Sequence, residues 1–139
     1  MFKYVKQLNA HCAAPEITTC YIDSVDPVNA GDVMFHDSYG LTHEGNDSTH
    51  SGMKYLVLED FTPDPSNLNP RKLKALAILP GMVFETESHD SVYYVGQKFL
   101  LEPSESGKGY KGISKTEGNG ARIFKFFTEG NKCWVELAW

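Results

Sequence analysis

Short runs of β-branched and aromatic residues recur along this chain, and they are bounded by Gly, Pro, Asn, Asp or Ser. Such runs are typical of β-strands separated by turns. No stretch combines apolar residues at positions i, i+3, i+4 and i+7 with the caps of an amphipathic helix. The pattern predicts strands at residues 2–8, 17–22, 33–36, 53–58, 72–79, 82–87, 98–101, 122–127 and 132–139.

The predicted fold class is all-β, a compact antiparallel β-barrel or sandwich of about eight to nine short strands with long polar loops. Residues 73–79 are almost all apolar, which predicts a strand with both faces covered. In the strand at 122–127, Phe124 and Phe126 are two residues apart and are expected to share one core-facing side. We expect a single β domain over residues 1–139.

Three connections between the predicted strands are long, at residues 36–52, 62–71 and 103–121. The second carries several prolines, and the third is rich in glycine and lysine. Loops beyond about 12–15 residues commonly carry function, so a partner is expected to meet the chain there.

The chain has a formal charge of −5, from 18 acidic and 13 basic side chains. We therefore expect no binding to nucleic acid and none to an anionic membrane. Residues 1–52 carry two lysines and seven acidic residues, whereas 103–139 carry six basic and four acidic residues. This polarity suits head-to-tail contact with another subunit, and an unevenly charged solvated surface is the alternative explanation. Neither a secretory signal nor a membrane-spanning run is evident, so we expect the chain to be made and kept in the cytosol.

No motif in the sequence indicates catalysis. His36, His43 and His50 are spaced by seven residues, but they lie in a polar, glycine-containing stretch, where solvated loop histidines are expected rather than a metal site. The nucleophile elbow, the phosphate-binding glycine loops and the H-E-x-x-H pattern are all missing from the sequence. Three cysteines without a C-x-x-C pair favour reduced thiols, with Cys133 a small buried hydrophobe. We expect neither enzymatic activity nor a cofactor.

Four segments occur in an order that resembles the small β-barrel decoration proteins of tailed bacteriophage capsids. A turn with Gly-Asp-Val opens the first strand at 28–35 (VNAGDVMF), and a strand ending in acidic residues follows at 54–60 (KYLVLED). A Pro-Gly turn opens the strand at 78–85 (ILPGMVFE), and a Val-Gly-Gln turn stands at 95–99 (VGQKF). The resemblance extends over residues 28–139 and leaves 1–27 as a candidate N-terminal arm.

This resemblance implies a non-enzymatic structural protein of the virion. Such a protein is made in the host cytoplasm, binds the major capsid protein on the outside of the shell, and stabilises that shell. It also implies a homo-oligomer such as a trimer. For the contact we predict four residues of the arm, through which it adds a strand to a neighbour: Phe2, Tyr4, Val5 and Leu8. The alternative, that these residues form the first strand of the chain's own barrel, stays open.

A small-ligand or carbohydrate-binding β-barrel of a phage fibre or baseplate is the alternative function. Its sequence feature is a supply of aromatic residues, namely Tyr39, Tyr93, Tyr94, Tyr110 and Trp139. A metal-dependent enzyme built on the three histidines is a third hypothesis, less favoured than the other two.

Overall fold

The computed structural model describes residues 1–8, 15–22, 27–36, 41–42, 53–64, 66, 71–89, 94–105, 109–127 and 130–139. Eleven strands and no helix occur within these ranges, which confirms the predicted all-β class. The strands are β1 (Lys3–Gln7), β2 (Ile17–Ile22), β3 (Val33–His36), β4 (Leu41–Thr42), β5 (Lys54–Val57), β6 (Arg71–Ala77), β7 (Met82–Glu87), β8 (Lys98–Pro103), β9 (Tyr110–Glu117), β10 (Ala121–Phe127) and β11 (Lys132–Glu136). The described ranges hold no helix with the length and apolar character needed to cross a membrane.

All eleven strands belong to one sheet, in the order β1-β7-β11-β10-β8-β9-β3-β4-β2-β6-β5. Their pairings are antiparallel except for a parallel bridge between β2 and β4, at Ile22 and Leu41. Strand β3 also pairs with β5, so that end of the sheet folds back on itself. Strand β1 pairs only with β7 within the described ranges, and the sheet as a whole does not close into a barrel.

Two hydrophobic cores lie on opposite faces of β3, β5 and β6. Along β3, Val33 and Phe35 belong to the larger core and Met34 to the smaller one. Ala75 and Leu76 divide β6 in the same way, so the predicted burial of both faces is confirmed at these two residues, whereas Leu79 at the end of the predicted run is 37% exposed. The smaller core consists of Cys20, Ile22, Val28, Met34, Val57, Leu73 and Ala75.

Two matching turns open β3 and β7. The amide of Asp32 donates to the carbonyl of Asn29 over 3.1 Å, and the amide of Met82 donates to that of Leu79 over 3.2 Å. The third residue of each turn is a glycine with positive φ, 90° at residue 31 and 86° at residue 81. This geometry is a type II turn, in which glycine is strongly preferred at that position. The sequence-based prediction of a glycine turn followed by a strand is therefore confirmed at β3 and at β7.

One predicted loop contains a strand. Strand β9 lies inside the segment 103–121 and pairs with β8. The prediction was wrong because the glycines of this segment were interpreted as turn formers. A Cβ on Gly120 would lie 2.6 Å from the backbone nitrogen of Leu101, so this glycine permits close backbone approach. Strand β4 was also missed, inside the predicted loop 36–52, because a two-residue strand has no periodicity to detect.

Candidate binding face

Strands β1, β7, β11 and β10 are neighbours and together expose one face of the sheet. Along β11, Cys133 and Val135 point into the larger core, so Trp134 between them points outward. Seven residues on this side are linked by the contacts described below, and we call them the Trp134 face: Lys6, Glu85, Phe124, Lys125, Phe127, Lys132 and Trp134.

A β-bulge brings Phe124 to this face. Ile123 pairs with Val135 and Lys125 pairs with Trp134, so Phe124 is the extra residue of β10. Phe126 packs against the larger core, whereas the Phe124 ring lies under the ammonium group of Lys6. The prediction that Phe124 and Phe126 share one core-facing side was wrong, because the bulge shifts the alternation by one residue.

Aromatic rings and lysines alternate across the face. The rings of Trp134 and Phe127 meet edge to face, with centroids 5.2 Å apart. The Nζ atom of Lys6 lies 5.1 Å from the centroid of the Trp134 ring. The Nζ atom of Lys125 lies 5.3 Å from the same ring and 4.9 Å from that of Phe127. Both lysines therefore make cation–π contacts with the central indole.

Glu85 orients the centre of the face. Its carboxylate accepts a hydrogen bond from Nε1 of Trp134 at 3.2 Å and forms an ion pair with Nζ of Lys132 at 3.3 Å. These two bonds, that of Trp134 first, lower the pKa of the Glu85 carboxyl. Lys6, Lys125 and Lys132 outnumber this one carboxylate, so the Trp134 face is positive on a chain whose net charge is −5.

Such a face can bind a partner. Tryptophan and other aromatic residues are enriched at the centres of protein interfaces, where they contribute most of the binding free energy. The surrounding lysines favour an acidic partner surface and accelerate its approach. The arrangement therefore suits adhesion to an acidic protein surface.

The four predicted contact residues of the arm lie in or beside β1, which pairs with β7 of the same chain. Phe2 is 3% exposed and belongs to the larger core. Tyr4 is half-buried and meets Phe84 edge to face at 5.8 Å. Val5 falls at a register shift between Tyr4 and Lys6, and Leu8 is 43% exposed. In this structure the segment is thus the edge strand of its own sheet.

The free edge of β1 carries features that discourage a further strand. Lys3 and Lys6 are exposed, and the bulge at Val5 interrupts the ladder. Edge lysines and bulges are common means by which proteins prevent sheet extension. Of the four predicted residues, only Leu8 is exposed.

Two further predicted sets fall partly outside the described ranges. The backbone of His36 ends β3, whereas its side chain and both His43 and His50 lie outside the described part. No group of three His, Cys, Asp or Glu side chains among the described residues could hold a metal ion.

The five aromatic residues considered for ligand binding differ in their surroundings, and two of them are not described. Tyr39 and Tyr93 lie outside the described ranges. Tyr110 is 1% exposed and packs edge to face on Phe35, so it cannot reach a ligand. Tyr94 is exposed on the turn before β8, and Trp139 lies among cationic side chains.

A cleft of about 450 Å³ lies elsewhere on the molecule, lined by Asp32, Asp60, Glu105 and Lys111 among others. Burial raises the pKa of the Asp32 carboxyl, which accepts a hydrogen bond from the amide of Asn29 at 3.4 Å. Asp60 accepts one from the amide of Ala30 at 2.8 Å. Asp32 is 1% exposed and supports the turn that opens β3, so we assign it a structural role.

Comparisons with protein-family models, with curated proteins and with solved structures found no match to this chain.

Proposed function

We propose that this chain is a non-enzymatic structural protein that binds the outside of a phage capsid and stabilises the shell. Two observations support the proposal: the resemblance of segments 28–35, 54–60, 78–85 and 95–99 to decoration proteins, and the Trp134 face. The Trp134 face carries it, because it is an aromatic and cationic contact surface on a chain whose net charge is negative.

The partner under this proposal is the major capsid protein. The indole of Trp134 and the ring of Phe127 supply apolar area at the centre of the contact, and Lys6 and Lys125 meet carboxylates around it. Each copy contributes a modest interface. Many copies on one shell, or several joined in a homo-oligomer such as a trimer, convert that interface into tight attachment.

Carbohydrate binding is less favoured by the geometry of the same rings. Sugars stack on exposed aromatic faces, but lysine ammonium groups lie over the rings of Trp134, Phe124 and Phe127. A sugar stacked flat on a ring would have to displace these cations and lose their cation–π contacts, whereas a protein partner can contact the ring edges and pair its carboxylates with the same lysines.

Co-sedimentation with undecorated capsid shells tests the proposal. The wild-type chain should sediment with the shells and raise their melting temperature. The variant Lys6→Glu/Lys125→Glu reverses two charges of the Trp134 face and should weaken binding at least about tenfold, because like charges then meet across the contact.

A matched variant controls for net charge. Lys74→Glu/Lys115→Glu changes the charge by the same amount at two exposed lysines on β6 and β9, and it should bind like the wild type. Failure of the wild-type chain to bind or stabilise shells would overturn the proposal. Equal loss of binding in both variants would remove the Trp134 face as the contact surface.

A further inference from the structure

Three cations from three strands surround the indole of Trp139. The Nζ atoms of Lys54 and Lys98 lie 5.5 and 5.3 Å from the ring centroid, and the Cζ atom of Arg122 lies 5.4 Å from it. Glu136 is the carboxylate of this group, bonded to Nη2 of Arg122 at 3.1 Å. We call these five residues the Trp139 cluster.

The sheet register places two of these cations directly opposite each other. Arg122 on β10 pairs with Lys98 on β8. Side chains directly opposite in an antiparallel pair have Cβ atoms about 4.5–5.5 Å apart, and like charges at such positions are destabilising. The fold thus holds together two cations that repel each other.

The side-chain charges of the cluster do not balance within the described residues. Three cationic side chains face one side-chain carboxylate, that of Glu136, so the cations are in excess. Lys54 is half-buried and donates to the backbone carbonyl of Leu137, and neither it nor Lys98 has a carboxylate partner in the described part of the chain. Burial without a counter-charge lowers the pKa of the Lys54 ammonium group.

We propose that the Trp139 cluster is a binding site for a phosphate group, held by Lys54, Lys98 and Arg122 beside the indole. A phosphate group carries a charge of about −1.5 to −2 at neutral pH and offers several strong acceptor oxygens. It therefore complements the excess of cationic side chains and reduces the repulsion between Lys98 and Arg122. This site adjoins the Trp134 face, since Glu136 and Trp134 point to the same side of β11, but it shares no residue with that face and does not depend on shell binding.

The two tryptophans of the chain provide a direct assay. In ¹H–¹⁵N spectra each indole N–H gives one signal, and Trp134→Phe assigns them. Inorganic phosphate should shift the Trp139 signal with a saturable curve and a dissociation constant on the order of 1 mM, as expected for a few charge-assisted hydrogen bonds. The Trp134 signal, whose proton is bonded to Glu85, serves as the internal reference.

Salt and phosphate-ester titrations complete the assay. Sulfate, a second dianion, should compete, and sodium chloride at equal ionic strength should not reproduce the shift. Glycerol phosphate in place of inorganic phosphate distinguishes an ester site, which binds the ester more tightly, from a site for the free ion. An unsaturable response that chloride reproduces would overturn the proposal, as would a shift confined to Trp134.

Substitution of Lys98 separates binding from a structural role. Lys98→Gln should weaken phosphate binding about tenfold, since it removes one charge-assisted contact. It should change the unfolding free energy little, because it removes both the repulsion with Arg122 and the cation–π contact with Trp139. Lys98→Arg should retain binding, and Lys115→Gln, at an exposed lysine of β9, should bind like the wild type. Unchanged affinity in Lys98→Gln would overturn the assignment.

Discussion

Gly109 lies so close to Asp32 that a Cβ on the glycine would stand 2.5 Å from the Cβ of the aspartate. This contact joins the start of β9 to the turn that opens β3, two elements that are far apart in sequence. Both residues are buried, and φ of Gly109 is outside the positive range. The requirement for glycine is therefore one of space.

We predict that Gly109→Ala lowers the unfolding free energy by about 1–3 kcal/mol, the usual cost of overpacking. Gly112→Ala is the matched control on the same strand, because its Cβ would meet only the hydroxyl of Thr86 at 3.3 Å. That control should cost less than about 1 kcal/mol. Urea denaturation measures both, and equal stability of the two variants would contradict the contact.

The placement of β1 gives a second prediction. Tyr4→Ala removes the edge-to-face contact with Phe84 and should lower the unfolding free energy by about 1–3 kcal/mol. Leu8→Ala, at an exposed residue, should change it by less than about 0.5 kcal/mol. Because β1 pairs within its own chain, the loss in Tyr4→Ala should not depend on protein concentration. A concentration-dependent loss would instead indicate a strand donated to a neighbour.

Cys133 predicts a decline of stability at alkaline pH. Burial, with a smaller contribution from Glu85, raises the pKa of this thiol to about 12, whereas a thiol in an unfolded chain ionises near about 8.5. Above that pH the unfolded chain releases a proton that the folded chain retains. The contribution of this thiol is complete below about pH 8.5 and falls by up to about 1.4 kcal/mol per pH unit until about pH 12.

Cys133→Ala should remove this decline. At neutral pH the variant should be less stable than the wild type, because the substitution creates a cavity. The difference between their unfolding free energies should become smaller as the pH rises from about 9 to 11. Urea denaturation at several pH values measures the difference. A difference in unfolding free energy that stays constant over this range would show that the thiol has the same pKa in the folded and the unfolded chain.

The hydrogen bond between Trp134 and Glu85 can be tested through the carboxyl group. Trp134→Phe keeps an aromatic ring but removes the donor, so the pKa of Glu85 should rise toward its usual value. Lys132→Gln should also raise it, because it removes both a charge-assisted hydrogen bond and a coulombic attraction. Carboxyl ¹³C titration by NMR measures both shifts. In the wild type, the stability that this bond contributes is present above the ordinary glutamate pKa and is lost as the pH falls through the lowered value.

Much of the strand layout was predictable from the sequence. The bounds of β2, β3 and β7 agree with those predicted, because each is a clean run of β-branched or aromatic residues beside a turn. Strand β9 was not predictable in the same way, since Gly112 occupies a buried position where an apolar side chain is expected. A glycine that allows close packing and a glycine that forms a turn are identical in sequence.

The candidate face was only partly predictable. The alternation around Trp134 in β11 indicates that the indole points outward. Lys6 and Glu85 could not be assigned to the same face, because that requires the order β1-β7-β11, which joins strands distant in sequence. The bulge at Phe124 has no sequence signal in this strand, since no glycine marks it.

The lysines and the bulge at the edge of β1 also oppose aggregation at high protein concentration. An uninterrupted, uncharged edge at high local concentration would recruit identical edges and grow into fibres. Lys3, Lys6 and the irregular ladder at Val5 stop such growth at the first step. We therefore expect copies packed side by side to resist polymerisation through this edge.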